Sequence, residues 1–298
     1  MKNFDVIIIG GSYAGLSASM ALGRSLRNVL IIDSGKPCNR QTPYSHNFIT
    51  HDGRTPKEIS GLAKEQVLKY ETVQFHEGEV VKMIKNATEY TVTTANSEEF
   101  YANKLIIAAG IKDVMPDIPG FSECWGISML HCPYCHGYEV RNKKTGILSN
   151  GDIAFDFSKL VFNLTKDLTL FTNGKSGFTP DQTEQLQQNK IEITEDNIAE
   201  VQHENGQIQK IVFENGREVS LEALYAKIPF KQNINTEDLA LELTEQGFIK
   251  VDAMQKTNIP GVFACGDNVT MMRSVANAVA QGNFTGAVVN RELTEEEF

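Results

Sequence analysis

The sequence predicts an α/β fold with two units in which a strand, a glycine-containing turn, a helix and a second strand follow one another. The first unit begins at Asp5–Ile9, where four β-branched residues in a row are typical of a buried parallel strand. The second unit begins at Gly146–Leu148. With 298 residues, the chain is long enough for two domains, each with its own hydrophobic core.

Composition and charge exclude several classes of partner. The chain is 41% hydrophobic and 22% charged, as in ordinary globular proteins. Its net charge of −10 and isoelectric point near 5.2 argue against a nucleic-acid partner, because phosphate binding requires clustered Lys and Arg. No apolar run approaches the ~20 residues that span a bilayer, and Val6–Ile9 is too short for the core of a secretion signal. We therefore expect no nucleic acid, no membrane partner and a cytoplasmic location.

The first turn has the features of a dinucleotide-binding site. Gly10–Gly15 follows the first strand, a helix is expected from Ala14 to about Leu26, and the second strand ends at Asp33. The glycines let a pyrophosphate approach the backbone, the helix N-terminus supplies N–H groups, and an acid in this place accepts from ribose hydroxyls. One position departs from the G-x-G-x-x-G fingerprint, since Ser12 replaces its middle glycine.

The second turn is eroded. Ser149–Ala154 follows its strand, and Ser149 replaces the first glycine of the fingerprint. No arginine follows the next strand, 168–172, where a 2′-phosphate would bind, and Lys175 is the only nearby base. A degenerate nucleotide domain and a working one both remain open at this stage.

Apolar periodicity and turn residues predict further elements. The chain should form a helix over 56–70, a helix after the second turn, and hairpin turns at Asn205-Gly206 and Asn215-Gly216. The apolar stripes expected to be buried are Ile59, Leu62, Ala63, Val67 and Leu68 in the first helix, and Ile153, Phe157, Leu160, Val161 and Leu164 in the second.

The C-terminal part predicts a second group of contacts to a cofactor. A short strand in Ile259–Ala264 is followed by Asp267, and a long helix is expected from about Ser274 to Glu292. An aspartate at the end of a strand and beside a helix N-terminus is well placed to bind a polyol, although a plain capping role is the alternative. The glutamates of 295–297 are expected to form a solvated tail.

Cys132-Pro133-Tyr134-Cys135 is the candidate reactive site. Two cysteines at this spacing can form a disulfide that passes two electrons, and a flanking imidazole can take or return a thiol proton. His136 is the candidate base, with His131 as the weaker one. The pattern C-x-x-C-H also matches haem attachment, and the two histidines with the two cysteines could ligate a metal. The three other cysteines, Cys38, Cys124 and Cys265, are interpreted as structural.

Taken together, these segments resemble the low-molecular-weight thioredoxin reductase family, in the same order and over nearly the full length. The resemblance is carried by Gly10–Gly15, Asp33, Ala108–Gly110, Cys132–Cys135, Val262–Asp267 and Ala280–Gly282. It implies an α/β fold of two Rossmann-like, three-layer ββα nucleotide-binding domains, the second inserted in the first. FAD would be bound by 1–115 and 236–298, and the inserted domain, 116–235, would be NAD(P)-like and carry the redox pair.

The resemblance also implies roles for individual residues. Cys135 would face the flavin, Cys132 would attack the external partner, and the protein would form a homodimer. The residues expected to bind FAD are Gly10, Ser12, Tyr13, Ala14, Gly15, Asp33, Arg40, Asn47, Ala109, Gly110, Gly266, Asp267, Ser274 and Val275.

Two departures from typical reductases leave the direction of electron flow open. His136 follows the second cysteine where an aspartate is usual, and the arginine-rich NADPH signature is absent. The stretch Cys132–Glu139, with Asn39-Arg40 and His51–Gly53 upstream, is similar to dithiol oxidases that pass electrons from flavin to oxygen instead of taking them from NADPH. Glu139 is a candidate for orienting His136.

Three functions therefore remain open from the sequence. The first is an FAD-dependent thiol/disulfide oxidoreductase that reduces a thioredoxin-like protein or another disulfide, with NADPH or another donor. The second is an oxygen-dependent oxidase of small-molecule dithiols, and the third is a non-catalytic FAD-binding redox sensor.

Overall fold

The computed structural model describes residues 3–298, which form two compact units. Unit 1 contains the described residues up to Arg40, together with Asn47–Asp113 and Phe230–Phe298. Unit 2 contains Val114–Pro229 and the short segment Gln41–His46. The domain boundaries expected after residues 115 and 235 remain a prediction.

The elements follow one another in a largely alternating order. The strands are β1 (Asn3–Ile9), β2 (Val29–Asp33), β3 (Val73–Glu77), β4 (Val80–Lys85), β5 (Tyr90–Thr94), β6 (Glu99–Ile107), β7 (Ile111–Asp113), β8 (Met129–Leu130), β9 (Thr145–Leu148), β10 (Leu168–Phe171), β11 (Glu192–Thr194), β12 (Ile198–Glu204), β13 (Gln207–Phe213), β14 (Glu218–Ser220), β15 (Ala223–Ala226), β16 (Phe230–Gln232) and β17 (Val262–Ala264). The α-helices are α1 (Tyr13–Arg24), α2 (Pro56–Val67), α3 (Phe121–Cys124), α4 (Pro133–His136), α5 (Gly151–Phe162), α6 (Pro180–Gln188) and α7 (Val275–Glu297), and Thr236–Leu239 is a 3₁₀ turn. Within residues 3–298, no helix is both long and apolar enough to cross a membrane.

Unit 1 is built on a seven-stranded sheet, and β7 and β16 form a separate antiparallel pair. The strand order is β3-β2-β1-β6-β5-β4, and β17 also pairs with β6. The strands β1, β2, β3, β6 and β17 are parallel, whereas β4, β5 and β6 form an antiparallel meander. Because side chains alternate along a strand, Val6 and Ile8 pack with α1 and α7, whereas Ile7 and Ile9 pack with the meander. The predicted α/β fold class is confirmed.

Unit 2 carries the second parallel sheet, with the order β11-β10-β9-β15-β8. A separate antiparallel sheet contains β12, β13 and β14, which are joined by the two predicted hairpin turns. Asn205 and Gly206 have φ values of 51° and 79°, as a tight two-residue hairpin turn requires.

The predicted buried faces of two helices are partly wrong. In α5, Ile153 is 64% exposed and Leu160 is 44% exposed, whereas Ala154, Phe157 and Val161 are buried. The buried face of α5 is therefore centred on Ala154, Phe157, Ser158 and Val161, so Ile153 and Leu160 lie outside it. In α2, Leu62 and Leu68 are likewise exposed, while Ile59 and Val67 are buried.

The glutamates of 295–297 are exposed, as expected, but they do not form a tail, since α7 continues to Glu297 and its last turns are ion-paired. Lys104, whose side chain is 7% exposed, lies with its Nζ 2.8 Å from Glu292 and also binds Glu296. Burial opposes the charge on Lys104, yet the hydrogen bonds to the two glutamates raise its pKa overall. Arg27 pairs with Glu297 at 2.5 Å. These pairs fasten the end of α7 to the sheet of unit 1.

We expect Lys104→Ala to lower the free energy of unfolding by about 2 kcal/mol, because a half-buried glutamate loses one of its cations. Lys250→Ala is the matched control, since Lys250 and Glu242 form a pair in which both side chains are more than half exposed. That change should cost less than about 1 kcal/mol. Urea unfolding of both variants measures the difference, and equal losses would contradict the role of burial.

Candidate active site

The turn between β1 and α1 permits close approach to its backbone. Gly10 has a φ of +106°, and a Cβ there would lie 2.3 Å from the carbonyl oxygen of Ala108. A Cβ on Gly15 would lie 1.9 Å from the carbonyl oxygen of Gly10. Ser12 has a φ of −92°, which any residue adopts, so the missing middle glycine causes no backbone strain.

The first turn of α1 is open to an anion. Ser12 is the N-cap residue, but its side chain makes no capping bond to the described residues, and the first turn holds no acidic residue. Its N–H groups and the helix dipole therefore favour a phosphate. Asp33 accepts from the backbone N–H of Gly11 at 2.8 Å and of Gly35 at 3.0 Å. A carboxylate offers about four lone-pair positions, so Asp33 can still accept from ribose hydroxyls.

The two long helices of unit 1 meet at this turn. A Cβ on Gly282 of α7 would lie 2.0 Å from the carbonyl oxygen of Ala14, so the helices approach more closely than any side chain would allow. This contact explains the glycine in the Ala280–Gly282 segment and fixes α7 beside the turn.

Cys38 and Asp267 lie close together in unit 1. Cys38 is solvent-accessible, yet burial within the surrounding protein, with a contribution from Asp267, raises the pKa of its thiol to about 11. Its Sγ lies 3.8 Å from Asp267 Oδ2. Burial also raises the pKa of Asp267, while Arg273 opposes this effect. Atoms that are both accessible and deeply surrounded are typical of a ligand cavity.

Arg273 positions this aspartate. Its Nη1 and Nη2 donate to the two carboxylate oxygens of Asp113 at 2.8 and 3.1 Å, and its Nε lies 3.7 Å from Asp267 Oδ2. The next residue, Ser274, caps α7 by accepting from the N–H of Asn277. Asp267 and the N-terminus of α7 are therefore close together. This places an acceptor for polyol hydroxyls beside the positive end of a helix.

All fourteen residues predicted to bind FAD belong to unit 1. Four of them make hydrogen bonds within unit 1. The backbone N–H groups of Gly110 and Gly266 donate to Asn268 Oδ1 and Gln281 Oε1. The side chains of Tyr13 and Arg40 donate to the carbonyls of Pro56 and Pro37. Asn47 has a left-handed φ of 60° and donates to Asp52. Three features fit FAD: the open N-terminus of α1, the lack of room for a Cβ on Gly10 and Gly15, and the position of Asp267. The role of each individual residue remains a prediction.

The corresponding turn in unit 2 is closed by its own side chains. Asn150 Oδ1 accepts from the N–H of Gly151 and of Gly177, both at 2.8 Å, and its Nδ2 donates to the carbonyl of Lys175 at 2.9 Å. Asp152 lies in the first turn of α5. The N-terminus of α1 has no side-chain cap and no acidic residue among the described residues, whereas that of α5 is covered by the carboxamide of Asn150 and carries the carboxylate of Asp152.

The redox pair lies on a short turn in unit 2. Cys132 and Cys135 are joined as a disulfide with their Cα atoms 5.4 Å apart, and Cys132 caps α4 by accepting from the N–H of Cys135 at 3.2 Å. A Cβ on Gly137 would lie 2.3 Å from the carbonyl of Pro133, so the loop can close only with glycine there. The disulfide is the form expected of a redox pair.

His136, the candidate base, lies beside two further titratable groups. Burial lowers its pKa, His46 lowers it further, and Glu139 opposes them. The rings of His46 and His136 meet edge to face with centroids 6.2 Å apart, and His46 Nδ1 lies 3.7 Å from Glu139 Oε1. His46 was not predicted from the sequence, because it lies in a loop far upstream of the Cys pair. Glu139 lies near His46 and also acts on the pKa of His136, and its expected role in orienting His136 remains a prediction.

The other candidates are placed elsewhere. His131 packs against Trp125 with ring centroids 6.2 Å apart. Cys124 and Cys265 are buried, and burial raises the pKa of their thiols to about 11 and about 12. Thiols with such values are poor nucleophiles near neutral pH, which fits structural roles.

Comparisons with known proteins identify the family. A profile of the pyridine nucleotide-disulphide oxidoreductases matches residues 4–282. The chain is 33% identical to the thioredoxin reductase tcpT of Claviceps purpurea over 301 residues, which cover 97% of this chain and 94% of that one. Among solved structures, a putative thioredoxin reductase TrxB from Bacillus anthracis has a TM-score of 0.94 at 30% identity, covering 99% of this chain and all of that one. An oxidoreductase from Agrobacterium tumefaciens has a TM-score of 0.92 at 34% identity, covering 99% of each.

The chain therefore belongs to the pyridine nucleotide-disulphide oxidoreductase family. Within it, the chain is a thioredoxin reductase-like, FAD-dependent disulfide oxidoreductase, and the predicted enzyme class and FAD cofactor are confirmed.

Proposed function

We propose that this enzyme is an FAD-dependent dithiol oxidase, which takes two electrons from an external dithiol through Cys132 and Cys135 and does not use NADPH. FAD, when bound, would accept the electron pair from the cysteines and pass it to oxygen. The closed turn of unit 2 is the observation that supports this direction most strongly.

A dinucleotide could bind at α5 only by displacing Asn150. Its carboxamide makes three hydrogen bonds that a pyrophosphate would have to replace. Asp152 would repel a phosphate from the same helix end, and Glu195 accepts from the N–H of Ser176 at 2.8 Å in the loop after β10. No arginine lies in that loop, Thr172–Gly177, to pair with a 2′-phosphate. The one cation of this loop, Lys175, interacts with Glu195, so the hydrogen bonding at Asn150 and the carboxylate of Asp152 oppose NADPH.

Thiol–disulfide exchange at the Cys pair accounts for the substrate step. A substrate thiolate attacks the sulfur of Cys132, the bond to Cys135 breaks, and Cys135 leaves as a thiolate. The second substrate thiolate then attacks the mixed disulfide and releases Cys132. The substrate leaves as a disulfide, and the enzyme keeps two electrons as two thiols.

A small-molecule dithiol is the proposed substrate, and a thioredoxin-like protein disulfide is the competing one. Several relatives are thioredoxin reductases by name, which favours the competitor. The homodimer and the cytoplasmic location remain predictions from the sequence.

Oxygen consumption tests the proposed reaction. Holoenzyme mixed with dithiothreitol in air, without pyridine nucleotide, should consume oxygen in stoichiometric proportion to the thiols oxidised. Added NADPH should change neither the rate nor its own absorbance. Turnover only when NADPH and a disulfide are supplied would overturn the oxidase, and no turnover in either assay would favour a redox sensor.

The pH profile should report His136 as the base. Its neutral form is needed, and burial and His46 lower its pKa below the ordinary 6.5, so the rate should hold until the pH falls below that value. We expect the acid limb of kcat/KM for the dithiol to lie below pH 6.5 and to be lost in His136→Gln. A limb above 6.5, or one that survives the substitution, would contradict this role.

A further inference from the structure

His46 reaches the disulfide loop from a distant part of the chain. Residues Gln41–His46 pack with unit 2, although the residues on both sides of this segment belong to unit 1. The side chain of His46 is 19% exposed and lies near two groups of the loop, His136 and Glu139. Three titratable side chains are therefore close together: Glu139, His46 and His136.

The proposed reaction needs more than one proton site. When Cys132 and Cys135 pass from two thiols to a disulfide, they give up two electrons, which FAD accepts, and two protons. One imidazole can hold only one additional proton. A second acceptor beside His136 would let both thiolates form without waiting for a proton to escape to solvent.

We propose that His136, His46 and Glu139 form a proton relay, in which His46 takes the proton that His136 receives from a cysteine thiol, and Glu139 stabilises the charge on His46. His46 and Glu139 are thus positioning residues that act through His136. The relay rests on the proposed function only in requiring that Cys132 and Cys135 cycle between thiols and disulfide, so it serves either direction of electron flow.

The charges around His136 support this order. A proton on His46 repels a proton on His136, whereas the carboxylate of Glu139 attracts one, as the opposite effects of the two groups on the pKa of His136 show. Cys132 and Cys135 lie on the same turn as His136, and Tyr225 lies close enough to Glu139 for that carboxylate to act on its pKa. Lys227 on the other side donates to the carbonyl of His131 and lies over the ring of Phe157.

Tyr225 lies near Glu139 and adds no charge to this group of side chains. It is fully buried on β15, in register with Leu130, the residue that leads into His131 and Cys132. Its hydroxyl has no hydrogen-bond partner among the described residues. Burial and the nearby Glu139 raise its pKa, so it remains a phenol and adds no competing charge.

The test compares His46→Gln with Glu139→Gln in the oxidised holoenzyme. Isotope-labelled histidine allows the pKa of His136 to be measured directly, since the chain has only six histidines and His136→Gln identifies the signal. We expect His46→Gln to raise the pKa of His136 and Glu139→Gln to lower it. The acid limb of kcat/KM for dithiothreitol should move in the same opposite directions, and both variants should lose about tenfold in kcat/KM.

His76→Gln is the matched control, because His76 and Glu98 form another histidine–carboxylate pair, with Nε2 and Oε2 3.0 Å apart, in unit 1. It should leave the rate, the acid limb and the His136 pKa unchanged. Loss of rate in both relay variants without any movement of the pKa or the limb would mean a merely structural role and would overturn the relay. The pKa of His136 is measured without turnover and so does not depend on whether NADPH reduces the flavin, which makes failure of the relay and failure of the oxidase distinguishable.

Discussion

Cys132→Ser is expected to reduce dithiol oxidation to about a thousandth of the wild-type rate or less, while the protein keeps its FAD. A hydroxyl at this position cannot form the mixed disulfide, so electrons from the substrate have no route to the pair. FAD content should be normal because all the predicted FAD contacts belong to unit 1, whereas the cysteines belong to unit 2.

Cys135→Ser and Cys124→Ala complete this comparison. Cys135→Ser should be equally inactive but should still trap a substrate thiol on Cys132 as a stable mixed disulfide, detectable by mass. Cys124 is a buried free thiol in unit 2, and its replacement by alanine should leave turnover near the wild-type value. Full turnover by Cys132→Ser would remove the pair from the mechanism.

Gly10→Ala is expected to weaken FAD binding by about a hundredfold or more, which corresponds to about 3 kcal/mol. The residue has a φ of +106°, and the new Cβ would lie 2.3 Å from the carbonyl oxygen of Ala108. The turn must therefore move away from the position that a pyrophosphate requires. Flavin absorbance relative to protein absorbance measures the loss after purification.

Gly61→Ala is the matched glycine control. Gly61 lies in α2, and no atom lies within 4 Å of the position of its added Cβ. Alanine there should retain full FAD and increase stability by about 0.5–1 kcal/mol, because glycine is unfavourable within a helix. A Gly10→Ala protein with as much FAD as Gly61→Ala would contradict the proposed turn.

The sequence predicted the fold well because its signals are local. The β-branched run of β1, the glycines of the first turn and Asp33 at the end of β2 each fix a neighbouring part of one unit. The hairpins at Asn205 and Asn215 were equally predictable, since these turns need left-handed backbone that Asn and Gly tolerate.

The features that were not predicted depend on contacts between segments that are far apart in the sequence. The buried face of α5 includes Ala154 and Ser158 and leaves Ile153 exposed, which hydrophobicity alone does not reveal. The last turns of α7 are fastened by Lys104 and Arg27, which lie far away in the sequence. The contact between His46 and His136 also joins segments that are far apart in the sequence. The sequence of the second turn was compatible with a working or a degenerate nucleotide site, and only the structure shows that the side chain of Asn150 closes it.

Anaerobic reduction of the flavin tests the central claim most directly. Holoenzyme is mixed rapidly, without oxygen, with NADPH, NADH or dithiothreitol while the flavin absorbance is followed. The closed turn at Asn150 predicts that only the dithiol bleaches the flavin and that air restores the colour. Rapid bleaching by NADPH, with little or none by the dithiol, would contradict the oxidase and identify the chain as a reductase.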